Sequence, residues 1–367
     1  TTAQPPPQNP TATADIEPSG DIQFAIDQLW ADGSGNENGY YRVISTEGGA
    51  YVIYYVDYAT QVETVLCSRL ECTHSDETCT AWFPYGSGIL PLAGIQPDKV
   101  YLVHLGGTND ADFLGSSALA RVEVINANGS GRKTLYTFEA AEMIDTAIAY
   151  DNGHIYFVKD SYKNMEATNG LPTRQLCVFN FADSTVRVLQ DIALTEDLIG
   201  AYGSKLVLSN AVNSLNVMES AENMRYSIQT YDVEKNLKEQ VLEHDFLTMG
   251  QVYQNKYYMV NPAGDVAVCD LDTHANDVLY ENLLSSCWDQ DDIFIPFVIF
   301  DDQWAITVEY VNMEEIAQGI LPTGDIEVAQ FVVNLATGEV HEQTMHFETL
   351  RIIYTPILAY AGDYYLV

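Results

Sequence analysis

Along most of the chain, apolar and polar residues alternate over short stretches that break at clusters of Asn, Asp, Gly and Lys. Alternation with a period of two predicts strands, and the clusters predict hairpin turns, because these residues accept turn dihedrals at little cost. One unit recurs: a strand ends in an aromatic residue, a short turn follows, and a second apolar strand begins. It reads Tyr150-Asp151-Asn152-Gly153-His154 before Ile155, Tyr202-Gly203-Ser204-Lys205 before Leu206, and Tyr253-Gln254-Asn255-Lys256 before Tyr257. Phe300-Asp301-Asp302-Gln303 before Trp304 and Tyr360-Ala361-Gly362-Asp363 before Tyr364 continue the series, and looser versions precede Tyr40 and Val100. The first residues after the turns, at 40, 100, 155, 206, 257, 304 and 364, give a period near fifty.

A second hairpin follows within each unit, marked by an apolar residue, then Asp or Asn, then an apolar or small residue. The instances are Val56-Asp57-Tyr58, Ile125-Asn126-Ala127, Phe179-Asn180-Phe181, Tyr231-Asp232-Val233, Cys269-Asp270-Leu271 and Val333-Asn334-Leu335. The carboxylate or amide is read as a turn-former that accepts backbone amides rather than as a ligand. Two hairpins make a four-stranded meander, and a meander repeated every fifty residues is the sequence form of a β-propeller blade. The expectation is an all-β chain: a Pro/Thr-rich linker over residues 1–20, then a single seven-bladed propeller of four-stranded antiparallel blades over residues 21–367. The last blade stops at Val367 after its second strand, to be completed by further chain or by the amino-terminal strand. Eight blades in a longer chain, or a double-sheet sandwich, are the alternatives. Long helices are not expected, with room for only a turn or two at Met313 to Gln318.

Four connections between second and third strands are enlarged: Gly106–Ser117, Ser161–Pro172, Asn210–Asn223 and Asn312–Asp325. In a propeller they crowd one rim, and long loops on one face read as a binding surface carrying Phe113, Tyr162, Met165, Met218 and Met313, or as tolerated insertions.

The most specific local feature is Cys67, Cys72, His74 and Cys79, spaced C-x4-C-x-H-x4-C where the first blade should end. Three thiolates and an imidazole satisfy tetrahedral Zn²⁺, and a closed set of four ligands predicts a structural rather than a catalytic ion. A Cys72–Cys79 disulfide, or free thiols, are the competing readings. Cys177 and Cys269 fall inside predicted strands, where cysteine acts as a small buried hydrophobe, and Cys287 has no evident mate. The segment YVIYYVDYATQVETVLCSRLECTHSDETCTAWF, residues 51–83, resembles a stretch near the start of propeller-like surface lipoproteins of gut Firmicutes. The resemblance implies an exported, membrane-anchored propeller at the bacterial cell surface, of uncharacterised activity, and supplies no catalytic residues.

Charge narrows the partners. With Lys+Arg 16 against Asp+Glu 52 the net charge is −36, and no Lys or Arg occurs between Lys256 and Arg351. Nucleic acid and anionic membrane surfaces are bound through basic residues, so neither is expected as a direct partner. Like charge of this size also keeps an exported chain soluble, and a monomer is expected. A hydrophobic content of 47%, with 24 Tyr and 13 Phe, is ample for a packed core, and no apolar run approaches a membrane span.

Catalytic motifs are missing. There is no phosphate-cradling Gly-rich loop, no G-x-S-x-G elbow, no H-E-x-x-H and no sialidase Asp-box, and the single WD dipeptide, Trp288-Asp289, does not recur with the repeat. Seven scattered histidines suggest no triad. Asp289, Asp291 and Asp292, or Asp301 and Asp302, are the residues from which a Ca²⁺ site would be built. The leading expectation is therefore a ligand-binding or protein-interaction module for a glycan or peptide. The alternative is a carbohydrate-active hydrolase or lyase using paired carboxylates at the channel mouth, and a third reading is a structural spacer of the cell envelope.

Overall fold

A computed structural model describes residues 17–25, 33–46, 49–84, 88–106, 119–163, 170–212, 225–244, 250–261, 263–283, 293–294, 297–300, 303–310, 323–337, 339–349, 359–361 and 364–366. Every regular element among them is a β-strand. A short amino-terminal strand, β1 (Gln23–Ala25), precedes a series of antiparallel meanders. The first sheet holds β2 (Gly33–Gly35), β3 (Gly39–Ser45), β4 (Tyr51–Asp57), β5 (Val62–Val65) and β6 (Trp82–Phe83). The second holds β7 (Ile89–Leu92), β8 (Lys99–His104), β9 (Arg121–Asn126) and β10 (Lys133–Thr137). The third holds β11 (Glu142–Tyr150), β12 (His154–Ser161), β13 (Thr173–Asn180) and β14 (Thr185–Ile192), with β1 added. The fourth is β15 (Glu196–Tyr202), β16 (Lys205–Val212), β17 (Arg225–Asp232) and β18 (Leu237–His244). The fifth is β19 (Gly250–Tyr253), β20 (Lys256–Val260), β21 (Val266–Asp270) and β22 (Asn276–Tyr280). The sixth is β23 (Ile293–Phe294), β24 (Phe297–Phe300), β25 (Gln303–Tyr310), β26 (Thr323–Asn334) and β27 (Val340–Thr349), and β28 (Ala359–Ala361) with β29 (Tyr364–Leu366) forms a last hairpin.

These four- and five-stranded sheets resemble propeller blades, and all seven first hairpins and six second hairpins fall where the repeat places them. The second hairpins close as their chemistry requires. The Asn180 side chain accepts the Ala182 amide (2.7 Å), Asp270 those of Asp272 (3.1 Å) and Thr273 (2.8 Å), and Asn334 that of Thr337 (2.8 Å).

The alternation of the second strands explains the stacking. On β12, Ile155 and Phe157 pack toward the second sheet with Leu92 and Val103, while Tyr156 and Val158 pack toward the fourth with Leu206 and Leu208. On β16, Val207 faces the other way, against Tyr257 and Cys269 of the fifth sheet. A strand apolar on both faces needs a sheet on each side, so the core lies between neighbouring sheets. The fourth strands β10, β14, β18 and β22 are mostly half-buried or exposed. Cys177 and Cys269 are fully buried in this core, as small hydrophobes.

First strands stand side by side: β2 by β7, β11 by β15, β15 by β19, β19 by β24, and β28 by β2. They mark the inner side. The second-to-third connections and the links between sheets leave from one end, here the loop end, and the hairpin turns lie at the other, the turn end. The amino-terminal strand does not complete the last hairpin, contrary to one sequence expectation. It pairs with β11 from the inner side, Gln23 opposite Tyr150, because Ile22 finds a buried place between the third and fourth sheets. Ser19 donates to Asp151 (3.1 Å) and the Ile22 amide to the Gly203 carbonyl (2.7 Å). Phe113, Met165, Met218, Met313, Cys287 and the Ca²⁺ candidates Asp289, Asp291, Asp292, Asp301 and Asp302 lie outside the described residues.

Candidate functional site

Cys67, Cys72, His74 and Cys79 converge. Their ligand atoms all lie within 4.8 Å of one another, and His74 Nδ1 is 3.3 Å from Cys79 Sγ. Around a tetrahedral zinc, ligand atoms sit roughly 3.5–4 Å apart, so the donor set fits with a small contraction. Glu71 and His74 take left-handed φ values of 60° and 53°, which turn the chain sharply enough to bring the four together. Asp76 caps the last turn, accepting the Thr78 amide (2.9 Å) and hydroxyl (2.6 Å), and Arg69 donates to the Thr78 carbonyl. Burial pushes the Cys79 thiol up to about 12. Burial also opposes ionisation of Cys67, but the Arg69 amide, the Thr80 hydroxyl and the neighbouring thiols outweigh it and lower that thiol. Among the described residues no two cysteines are bonded, and this cluster is the only one with metal-ligand character.

The loop is not the link into the second blade that its place at the end of the first blade implies. β5 pairs with one half of β4 (Tyr54 to Asp57) and β6 with the other (Tyr51 and Val52), so residues 66–81 interrupt the outer strand of the first sheet. The loop then reaches the second sheet. Thr80 Oγ1 donates to the Gly129 carbonyl (2.5 Å), and Arg132 Nη1 donates to the carbonyls of Thr80 (3.0 Å) and Trp82 (2.8 Å).

A second site has no motif. On the loop end, Arg174 of β13 gathers three carboxylates from three other strands: Asp145 of β11, Asp160 of β12 and Asp197 of β15. Arg174 Nη2 contacts Asp145 and, at 2.9 Å, Asp197 Oδ1; Nε stands 3.5 Å from Asp160 Oδ1, and Nη1 donates to the Leu194 carbonyl (3.2 Å). Asp145 and Asp197 share one nitrogen, which puts their oxygens within about 6 Å of each other. Three local features build the group. Asp160 and Arg174 are register partners, the bulge between Ile144 and Ile148 re-aims Asp145, and a bulge at Leu198 to Gly200 follows Asp197. Burial raises the Asp160 carboxyl, and Asp145 and Asp197 raise it further against the opposing pull of Arg174. Tyr162, expected on the loop face, stands close by, its hydroxyl raised by burial and by Asp160. Neighbouring Glu142 and Glu196 are occupied structurally: each accepts a link amide, from Glu139 (3.1 Å) and Ala193 (2.7 Å), and each binds lysine.

Spacing in the sequence could not reveal this group, because its members are brought together by register alone. The available signal was the scarcity of cations: an arginine at the loop end of a strand in so acidic a chain gathers carboxylates.

Two buried histidines have carboxylate partners without forming a triad. His104 Nε2 is 3.0 Å from Glu123, which also accepts from Arg121 (3.2 Å) and Thr134 (3.0 Å). His154 Nδ1 is 3.1 Å from Asp151, but the Ser19 hydroxyl donates to Asp151 rather than to the imidazole, so no activated nucleophile results. At the turn end, a cavity of about 600 Å³ is lined by Asp21, Gln23, Tyr202, Gln251, Tyr253 and Asn255, among others.

No family model and no curated protein matches the chain. Solved structures do. A puromycin hydrolase aligns at 11% identity over 85% of this chain and 46% of its own, with a TM-score of 0.53. The Pyrococcus horikoshii acylaminoacyl peptidase aligns at 11% identity over 92% of this chain and 48% of its own, with a TM-score of 0.51. An oligogalacturonate lyase from Vibrio parahaemolyticus is less similar, at 12% identity over 77% of this chain and 73% of its own, with a TM-score of 0.45. The chain thus spans about half the length of the hydrolase and the peptidase. Likeness at this identity is likeness of fold. The hydrolase and the peptidase are enzymes by name, and the expectation of a ligand-binding or interaction module without catalysis is corrected on that finding.

Proposed function

We propose that the chain is an enzyme of hydrolase or lyase type acting on carbohydrate, with its chemistry at Asp145, Asp160, Asp197 and Arg174. The observation that carries this reading is the meeting of Asp145 and Asp197, from neighbouring inner strands, on one nitrogen of Arg174 beside a third carboxyl whose proton is held more tightly than usual. Glycosidic cleavage needs one carboxylic acid to protonate the leaving oxygen and one carboxylate on the other side of the sugar, and environments that separate their pKa values assign the roles. Asp160 is the acid. Asp197, with 55% of its side chain exposed, is the carboxylate open to a water or an anomeric carbon. Arg174 holds both in place and offsets their charge. In a ring of seven blades closed by β28 and β29 against β2, this group would stand at the channel mouth.

The same proposal assigns Zn²⁺ to Cys67, Cys72, His74 and Cys79 as a structural ion, on the strength of their convergence. It places the enzyme outside the cell, monomeric and surface-anchored, a setting supported by the Pro/Thr-rich start and the net charge of −36.

The test is turnover of a panel of oligosaccharides and acidic polysaccharides by the purified chain and by Asp160→Asn and Asp197→Asn. Each variant is expected to lose about 10²–10⁴-fold in rate at an unchanged melting temperature. Wild-type turnover falls as pH rises through the raised Asp160 value, because the acid form is the working one. Equal rates in wild type and both variants would sink the assignment.

A further inference from the structure

The interrupted strand and its contacts carry the zinc reading further. The loop that holds the four ligands leaves the outer strand of the first sheet after β5 and rejoins it at β6, so its closure keeps the two halves in register on β4. Its far side is seated on the second sheet. The turn between β9 and β10 comes so close that a β-carbon on Gly129 would lie 2.6 Å from the Leu66 carbonyl carbon and oxygen, and Gly129 has a φ of +78°. Thr80, next to the ligand Cys79, donates to the Gly129 carbonyl (2.5 Å).

Arg132 makes the longer connection. Its guanidinium binds the Thr80 and Trp82 carbonyls and lies 4.4 Å from the centroid of the Phe83 ring. The Phe83 ring in turn packs 5.3 Å from that of His104, the last residue of β8, whose imidazole meets Glu123. An unbroken series of contacts therefore runs from the cysteine loop to the base of the second sheet's long connection. Electrostatics favour the same pairing. Zn²⁺ with three thiolates and a neutral imidazole carries one net negative charge, and Arg132 is near enough to Cys79 for their charges to interact.

We infer that zinc bound by Cys67, Cys72, His74 and Cys79 clips the first sheet to the second at their outer edges, with Arg132 as the positioning residue that carries the clip across. The inference rests on the zinc assignment above. The ion closes the loop, the closed loop presents the Thr80 and Trp82 carbonyls, and Arg132 and Gly129 receive them. Neighbouring sheets are otherwise joined by side-chain packing and by single polar contacts such as Arg174 with Asp197 and Lys205 with Asp272, and here a metal adds a fixed point at the rim.

The experiment is amide hydrogen exchange on the full chain, zinc-loaded and after chelation under reducing conditions, with zinc per chain measured in parallel. The expected result is one zinc per chain and, on chelation, exchange faster by about tenfold both in residues 66–83 and across β9 and β10. Arg132→Met is expected to stay loaded in excess zinc while its affinity falls roughly tenfold to a hundredfold and β9 and β10 exchange faster. A chain that binds no zinc overturns the assignment beneath the inference. Zinc that binds, with chelation speeding exchange only in residues 66–83, overturns the clip and leaves the assignment standing. If chelation unfolds the whole chain, the loaded Arg132→Met variant decides, and unaltered exchange in its β9 and β10 overturns the clip.

Discussion

Glu123 illustrates how single charges are kept inside this acidic chain. Burial alone would raise its carboxyl, but His104, Arg121 and Arg132 outweigh that cost and bring it down to about 2. Burial meanwhile lowers His104, so the imidazole is neutral and donates its Nε2–H to the carboxylate. A depressed acid stabilises the fold above its ordinary value of 4.5, and that contribution is lost as pH falls toward 2. Glu123→Ala is expected to cost about 3 kcal/mol near neutrality, since it leaves the buried His104 imidazole without its acceptor and takes the carboxylate away from Arg121 and Thr134. In urea unfolding, the gap between wild type and Glu123→Gln should be wide at about pH 6 and narrow at about pH 3, and a gap that widens toward acid would contradict the pairing. Legibility varied at this scale. The four zinc ligands are readable because thirteen consecutive residues hold them all, whereas Arg174 and its three aspartates stand on four strands and become neighbours only once register is fixed.

At the scale of elements, local chemistry carried most of the information. Hairpins are visible because Asp and Asn at strand ends bind the amides just ahead of them, which needs no knowledge of distant chain. Asn180→Ala removes the acceptor for the Ala182 amide and is expected to cost about 1 kcal/mol, measured by denaturant titration, with the fold unchanged. Two features at this scale depend on distant pairing and leave no local mark. One is the split outer strand of the first sheet, where β6 finds β4 only after a loop has been extruded. The other is β1, whose residues pair with a strand more than a hundred positions away. The repeat predicts regular succession, with the cysteine loop as a link into the second blade and the amino-terminal strand as one way of completing the last, and says nothing about insertions or strand additions.

For the whole molecule, strands that are apolar on both faces explain why sheets stack, and inner strands standing side by side explain where the carboxylates meet. The acidity signified by a net charge of −36 is distributed unevenly in function: among the described residues Glu63, Asp191, Glu243 and Asp277 lie on outer strands, while Asp145, Asp160 and Asp197 converge on a scarce cation at the loop end. If the ring closes through β28 and β29 against β2, deleting residues 359–367 exposes the inner edge of the first sheet and lowers the melting temperature, while an open arrangement leaves it unchanged. The enzymatic reading is tested most directly by incubating the chain with the oligosaccharide panel in heavy-oxygen water and analysing the products by mass spectrometry. The account predicts shortened chains that carry either the solvent oxygen, from hydrolysis, or an unsaturated end, from elimination, and neither product from Asp197→Asn. Substrates recovered intact from wild type, or identical products from the variant, would contradict it.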